Sequence, residues 1–263
     1  MQEKAIGRGR AFDCLTAGEF AIIRQSEQIG QAFDPSLAGE PQQPLGWLQY
    51  VGKTRDQQMT ETFTPGPDAV EIIEREECFR GFYRLDRFHL RHRQFSGEMG
   101  PVLRRELFIR HDAVCVLPYD AVTDSVVLIE QFRVGAMHKA TNPWLVELVA
   151  GLIDKNEEPD EVALREAEEE AGLTLTSLWP ITRYFPSPGG SDEFVHLFLG
   201  RCSSAGVGGV HGLEEEGEDI RVQVWPFEDA LQAVRDGKIN NAASIIALQW
   251  LALNRAEVRG LWG

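Results

Sequence analysis

The chain has 263 residues, 43% of them hydrophobic and 25% charged, which suits one sizeable globular domain with an extension or two small domains. Its 41 acidic residues outnumber 26 basic ones, and a net charge of -15 repels phosphate backbones, so long nucleic acid is excluded as an unaided partner. A small anionic substrate is not excluded, because bound divalent cations invert the local charge.

The N-terminus shows no basic start followed by an apolar signal-peptide core. No run reaches the roughly 18 apolar residues of a membrane span, so a cytoplasmic protein without a membrane partner is expected. Ala17–Phe33 has a helix-like mixture, which Pro35, Gly39, Pro41 and Pro44 then break. A second apolar patch, Trp47–Val51, precedes another breaker cluster, Pro65-Gly66-Pro67. Prolines at this density argue for loops or a linker. Residues 1–66 are therefore read as an N-terminal extension of unassigned role.

From Val70 the texture tightens. Val70–Arg75 and Phe82–Arg93 are rich in aromatic and branched residues and read as strands, with Gly97 at a turn and a third strand around Arg105–Ile109. These make residues 67–110 an N-terminal β region ahead of a main domain over 111–263. Ala113–Leu117 and Val126–Phe132 are short apolar runs, and Pro118-Tyr119-Asp120 supplies turn chemistry between them. Trp144–Val149 reads as a strand leading into Gly151. Pro159–Ala171 reads as a helix, with Pro159 in its first turn and Gly172 as its stop. Strands follow at Leu178–Tyr184, Glu193–Leu199 and Ile220–Trp225, then helices at Phe227–Asp236 and Ala242–Ala256, the second capped by Asn240 or Asn241. This order predicts an α+β fold with a sheet between helices.

The helix over Pro159–Ala171 carries the chemistry. Glu166, Glu169 and Glu170 are three and four residues apart and share one face. Ala163, Leu164, Ala167 and Ala171 form a neighbouring apolar stripe, whose small alanines let the helix approach a sheet closely. Like charges at Glu166 and Glu170 destabilise a helix by about 0.2–0.5 kcal/mol, and negative charge near its C-terminal end opposes the macrodipole. Arg165 offsets part of this through Glu161 and Glu169. A bound cation would resolve the rest, and oxygen-only ligands match Mg²⁺, or Mn²⁺ as a substitute. The cluster alone fits an exposed acidic helix better. Its spacing does not.

Gly151, five residues, Glu157, seven residues, then Arg165-Glu166, an aliphatic residue, any residue, Glu169-Glu170, any residue, Gly172 and Leu173 reproduce the Nudix box at every fixed position. The chain thus resembles the Nudix hydrolase family. The resemblance implies an α/β/α sandwich with a mixed sheet and a loop–helix–loop that binds Mg²⁺ against a substrate pyrophosphate. Carried over by position, Glu166 and Glu170 are the primary metal ligands, Glu169 a bridging or second-metal ligand and the Ala150 carbonyl an extra one. Arg165 orients the glutamates, and Glu157 supports the helix start.

From about Val70 onward, roughly three-quarters of the sequence, the chain looks like the bacterial ADP-ribose pyrophosphatases of that family. Ser187-Pro188-Gly189-Gly190 matches the segment whose proline marks ADP-ribose-cleaving members. Gly212-Leu213-Glu214-Glu215-Glu216-Gly217-Glu218-Asp219 matches their acidic catalytic loop, and Asn240-Asn241-Ala242-Ala243-Ser244 their tail. By itself such a charged, glycine-led loop is ordinary surface. The resemblance implies that it closes over substrate, with Glu216 as general base and Glu218 as a further metal ligand.

By the same resemblance, Arg133 holds a phosphate, Arg105, Glu106 and Arg110 contact substrate, and Leu152 adds a backbone contact. Glu193 meets the terminal ribose, and Phe82 and Tyr83 sandwich the adenine from the partner of a homodimer with exchanged N-terminal strands. Core packing explains each aromatic equally well.

Zinc and serine chemistry find no footing. The histidines show no metal-ligand spacing, there is no G-x-S-x-G elbow, and Cys14, Cys78, Cys115 and Cys202 form no C-x-x-C pair and read as reduced thiols. The expected activity is Mg²⁺-dependent cleavage of ADP-ribose to AMP and ribose 5-phosphate. The rivals are a pyrophosphatase for another nucleoside diphosphate sugar, such as GDP-mannose, and a non-catalytic ADP-ribose sensor. The intact glutamate set and the absence of a basic recognition helix in 1–66 speak against the sensor.

Overall fold

A computed structural model describes residues 66–154 and 157–263, with the Glu216 side chain outside the description. The elements expected within residues 1–65 lie outside the described residues. So does the proposed base carboxylate of Glu216.

Three strands, β1 (Val70–Arg80), β2 (Arg84–His92) and β3 (Leu103–Ile109), form an antiparallel sheet in the order β1-β2-β3. Charged side chains face one another across it: Arg87 meets Glu76 at 2.8 Å and Glu106 at 3.3 Å, and His89 meets Glu74 at 2.9 Å. All eleven residues of β1 are exposed. Phe82, expected to open a strand, instead sits with Tyr83 in the turn between β1 and β2. There the Gly81 N–H donates to the Tyr83 carbonyl at 2.8 Å, closing the chain before pairing resumes.

An eight-stranded sheet forms the middle layer: β4 (Ala113–Asp120), β5 (Ser125–Phe132), β6 (Trp144–Glu147), β7 (Val149–Leu152), β8 (Ser177–Tyr184), β9 (Val195–Arg201), β10 (Gly209–His211) and β11 (Ile220–Pro226). Its main order is β10-β11-β5-β4-β9-β8, with β6 paired to β5 and β7 to β4. Only the β4–β9 pairing is parallel, so the sheet is mixed. Both faces of β4 are covered, and all eight of its residues are buried. That is why this stretch reads as a continuous apolar run rather than an alternation.

Three helices complete the sandwich. Val162, Ala163, Ala167 and Ala171 of α1 (Pro159–Ala171) pack with Val114, Val116, Val127 and Ile129 on one face of the sheet. On the other, α2 (Phe227–Arg235) and α3 (Ala242–Trp262) set Phe227, Leu248 and Leu251 against Leu117, Tyr119, Leu128 and Leu199. The α/β/α architecture is the expected one. Pro159 opens α1, and Gly172 closes it in the left-handed region at φ 61°, its N–H bonded to the Glu168 carbonyl at 2.9 Å.

Several expectations are corrected. Pro118, Tyr119 and Asp120 do not turn; they finish β4, and the chain reverses at Ala121–Asp124. The turn chemistry is real but acts one step later, because the Asp120 carboxylate accepts from the Val122 and Thr123 N–H groups at 3.0 and 3.2 Å. Trp144–Val149 is not one strand: Leu148 separates β6 from β7, which pair with different partners. The short β10 was not anticipated. Helix α3 runs to Trp262 rather than Ala256, since the Trp262 side chain joins the core and its carbonyl accepts from Arg201 at 2.8 Å. Asn241 caps α3 by accepting from the Ser244 N–H at 3.1 Å.

Candidate active site

The box folds as strand β7, a loop and helix α1. Gly151 and Glu166 approach closely: a Cβ at 151 would lie 2.0 Å from Oε1 of Glu166, which would have to move. Glu170, one turn on, is only 2% exposed, and its Oε2 accepts from the Ala150 N–H at 2.9 Å. Helix and strand thus hold two carboxylates against one stretch of backbone, Ala150-Gly151.

Arg165 binds the acidic face together. Its Nε and Nη2 fork onto Glu157, each at 3.1 Å, while Nη1 reaches Glu166 and Glu169, both at 2.8 Å. The expected Glu161 partner is replaced by Glu157. Glu161 turns instead to the helix start, where it accepts from the Glu158 N–H at 3.1 Å.

Glu218 approaches from the acidic loop, whose residues Glu214–Glu216 form a 3-10 turn. Its Oε2 accepts from the Leu213 N–H at 3.0 Å. Gly212 lies at φ +105°, and a Cβ on it would sit 2.6 Å from the Glu218 Cβ, so the loop's entry depends on glycine for both conformation and space. At the loop's lead-in, His211 packs against Gly172 at the end of α1, where a Cβ would meet its ring at 2.9 Å.

The electrostatics of the cluster are those of desolvated, crowded acids. Burial pushes the Glu170 carboxyl up to about 8, and the negative charges of Glu166 and Glu218 push the same way. Glu166 rises to about 7, again chiefly through burial, against the opposing pull of Arg165. Both would return to the ordinary carboxylate range beside a divalent cation. As placed, no three acidic, histidine or cysteine side chains among the described residues converge at metal-ligand spacing, and Arg165 pairs with both Glu166 and Glu169. The donor set nevertheless fits a hard cation. It is all oxygen, it is held in a cradle that any Cβ at 151 would fill, and its members raise one another's proton affinity.

The expected substrate residues fall into two groups. Arg133 donates through Nε to Glu147 at 2.7 Å, and its charge is felt at Glu170, so it belongs with the acidic cluster. Leu152 ends β7 opposite Ala113. In the second group, the Arg110 guanidinium lies 5.1 Å from the Tyr83 ring centre and 3.2 Å from Glu193, whose carboxyl is raised by burial. Tyr83 also meets Phe82 and Phe108 edge-on, at 4.7 and 5.0 Å. Exposed Ser187, Pro188 and Gly189 lie in the adjoining loop, which is tied to β3 by a Phe108 N–H to Gly190 carbonyl bond at 2.8 Å.

Arg105 and Glu106 do not join either group within the chain. As strand neighbours they project to opposite faces of β3, and Glu106 is taken by Arg87 and Arg104, each at 3.3 Å. Glu147 is a site residue that the sequence patterning does not single out. As the lone charge in the apolar strand Trp144-Leu145-Val146-Glu147, it was the available signal.

The comparisons agree on one relationship. A NUDIX domain model matches residues 109–249. An ADP-ribose pyrophosphatase of Escherichia coli strain K12 is 47% identical over 199 residues, 76% of this chain and 95% of that one. A GDP-mannose pyrophosphatase of Cronobacter sakazakii is 39% identical over 161 residues, 59% of this chain and 81% of its own. A solved structure of an ADP compounds hydrolase superposes with a TM-score of 0.56 at 22% identity, covering 73% of this chain and 95% of that one. At that identity the superposition speaks for the fold alone.

Proposed function

Because the chain belongs to the Nudix family, we propose that it hydrolyses the pyrophosphate bond of ADP-ribose to AMP and ribose 5-phosphate. The observation that carries the reading is the seating of Glu170 and Glu166 against Ala150-Gly151: two desolvated carboxylates, raised to about 8 and about 7, on the helix the box defines. Buried acids are costly to keep ionised even where, as at Glu166, an arginine is paired with them, and the intact glutamate set speaks against a binder that never cleaves.

Glu166, Glu170 and Glu218, with Glu169 and the Ala150 carbonyl, would hold Mg²⁺ (or Mn²⁺), whose chemistry there is to neutralise phosphoryl oxygens and acidify water. Arg165, bonded to Glu157, Glu166 and Glu169, fixes the carboxylates in register. Arg133 offers a forked guanidinium to the diphosphate. Glu216 takes the proton of the attacking water, whose oxygen bonds to phosphorus as the bridging P–O bond breaks. Glu193 would orient the terminal ribose, Arg110, paired with Glu193 at 3.2 Å, would contact the substrate, and Ser187, Pro188, Gly189 and Leu152 would border it.

A cytoplasmic homodimer completes the reading. An eleven-residue strand exposed along its whole length is unusual in a lone chain, and a second copy would cover it and deliver Phe82, Tyr83, Arg105 and Glu106 across the interface. Among the described residues, no helix is long and apolar enough to cross a membrane.

The GDP-mannose pyrophosphatase relative keeps a second substrate in view. Purified full-length protein with Mg²⁺ should release AMP and ribose 5-phosphate from ADP-ribose, followed by chromatography, faster than it releases GMP from GDP-mannose. Faster turnover of GDP-mannose would reverse the assignment, and binding of ADP-ribose without AMP release would make the protein a sensor.

A further inference from the structure

Gln131 lies on β5 between Ile129 and Arg133. Side chains two apart on a strand share a face, and antiparallel partners share it too. Ile129 is opposite Glu147, and Gln131 is opposite Leu145. The extended pairing continues one step further, through the Arg133 N–H to Pro143 carbonyl bond at 2.9 Å. Ile129, Gln131, Arg133 and Glu147 therefore stand on one side of the sheet, the side on which Ile129 joins the core under α1. Arg133 reaches back along the strand to meet Glu147 at 2.7 Å, passing the Gln131 position.

The other polar groups of this corner are matched: Arg133 with Glu147, and Glu170 with the Ala150 N–H. Gln131 is the exception. Only 8% exposed, it carries a buried Nε2 without a hydrogen-bond partner. A buried amide donor left unmade costs free energy in the resting protein, and such groups in native folds call for a reason. An apolar residue would fill this position without penalty. A neutral donor beneath the arginine expected to grip the diphosphate has an evident use.

We propose that Gln131 is a substrate-binding residue whose side-chain amide donates to a phosphoryl oxygen of the diphosphate held by Arg133. This rests on the pyrophosphatase reading given above. The amide adds directional binding where the surrounding carboxylates would otherwise repel the anion, and it reaches its full complement of hydrogen bonds only when substrate is bound.

The test is kinetic, on the full-length protein with ADP-ribose and Mg²⁺, paired with thermal unfolding of the free protein. Gln131→Met, of similar length and without the donor, is expected to lower kcat/KM about tenfold and to leave the unfolding midpoint unchanged or raised, because an orphaned group has been removed. Gln131→Glu, which presents acceptors and a negative charge to the phosphoryl oxygens, should lose more. If Gln131→Met impairs folding, Gln131→Leu, also without the donor, carries the test through the same loss of about tenfold at an unchanged midpoint.

An Arg133→Ala background separates direct contact from support. A Gln131 loss that persists there supports contact with substrate. A loss that vanishes there means that Gln131 only steadies Arg133, and overturns the proposal. Wild-type turnover with Gln131→Met within twofold of it also overturns the proposal, but leaves the pyrophosphatase reading intact. Wild-type protein that releases no AMP removes that reading and this inference together.

Discussion

Strand β4 and strand β1 are opposites: all eight residues of the first are buried, and all eleven of the second are exposed. The first lies at the centre of a sheet with a helical layer on either face, and its side chains meet their partners within the chain. The second edges a three-stranded sheet held by exposed ion pairs, such as Arg91 with Glu71 at 2.8 Å, which contribute little to stability. The carboxylates proposed to hold metal belong to the self-sufficient region, whereas the aromatics expected to sandwich the base and the arginines expected to contact substrate belong to the other. On the proposed function, chemistry and recognition are built on parts of the molecule that differ in what completes them.

The largest effect should come from Glu170, the most enclosed of the box glutamates. Glu170→Gln is expected to reduce Mg²⁺-dependent turnover on the order of a thousandfold, the scale of several kcal/mol of lost transition-state stabilisation. The fold should not suffer, since the amide oxygen can still accept from the Ala150 N–H. A carboxyl whose folded pKa lies above its unfolded value costs stability once the pH exceeds the unfolded value, so the variant should unfold at the same temperature as wild type, or higher, at neutral pH. Near-normal turnover would remove Glu170 from the metal site.

Gly151→Ala comes next. Nothing in the backbone forbids alanine, but the new methyl would lie 2.0 Å from Oε1 of Glu166, so the carboxylate must swing away. A loss of turnover of about a hundredfold is expected, with Mn²⁺ binding weakened in calorimetry. Retained affinity would show that Glu166 is not held by this cradle.

The same contrast explains what the sequence disclosed. Helix α1 was legible to its ends, because Pro159, Gly172 and the alanine stripe act within one helix. The split of β6 from β7 at Leu148 was not, since it reflects which neighbour each half pairs with. Nor was the fate of Tyr119, which turn chemistry placed in a loop and packing placed in the core. In the site, the glutamate ridge was visible from spacing alone. The Glu157–Arg165 fork and the Arg133–Glu147 pair join residues whose meeting only tertiary structure decides.

Asp120 tests the self-sufficient region for stability rather than chemistry. Burial alone would raise its carboxyl, but bonds from Ser204, through both N–H and hydroxyl at 2.8 Å, and from Thr123 hold it down to about 2. Its folded value lies below the unfolded one near 4, so it stabilises the fold above that pH and ceases to do so as the pH falls towards 2. The contribution is on the order of 2 kcal/mol. Asp120→Asn cannot accept all four bonds and should be destabilised at pH 7, with the difference from wild type closing under acid. A gap that stays constant with pH would mean that shape, not charge, is what Asp120 supplies.

Phe82 probes the other region, with the smallest effect. It is 78% exposed and touches Tyr83 edge-on, so within one chain it has little packing to lose. Phe82→Ala should therefore leave the unfolding midpoint unmoved. If Phe82 stacks on the base of a substrate bound between two copies, KM for ADP-ribose should rise about tenfold with kcat nearly unchanged, the pattern of binding lost equally from ground and transition states. A shifted midpoint with an unaltered KM would make the ring a packing element of the dimer, and β1–β3 would then serve assembly alone. A rise in KM that persists when the protein is diluted until dimers dissociate would place the base site within a single chain and dissolve the contrast between the two regions.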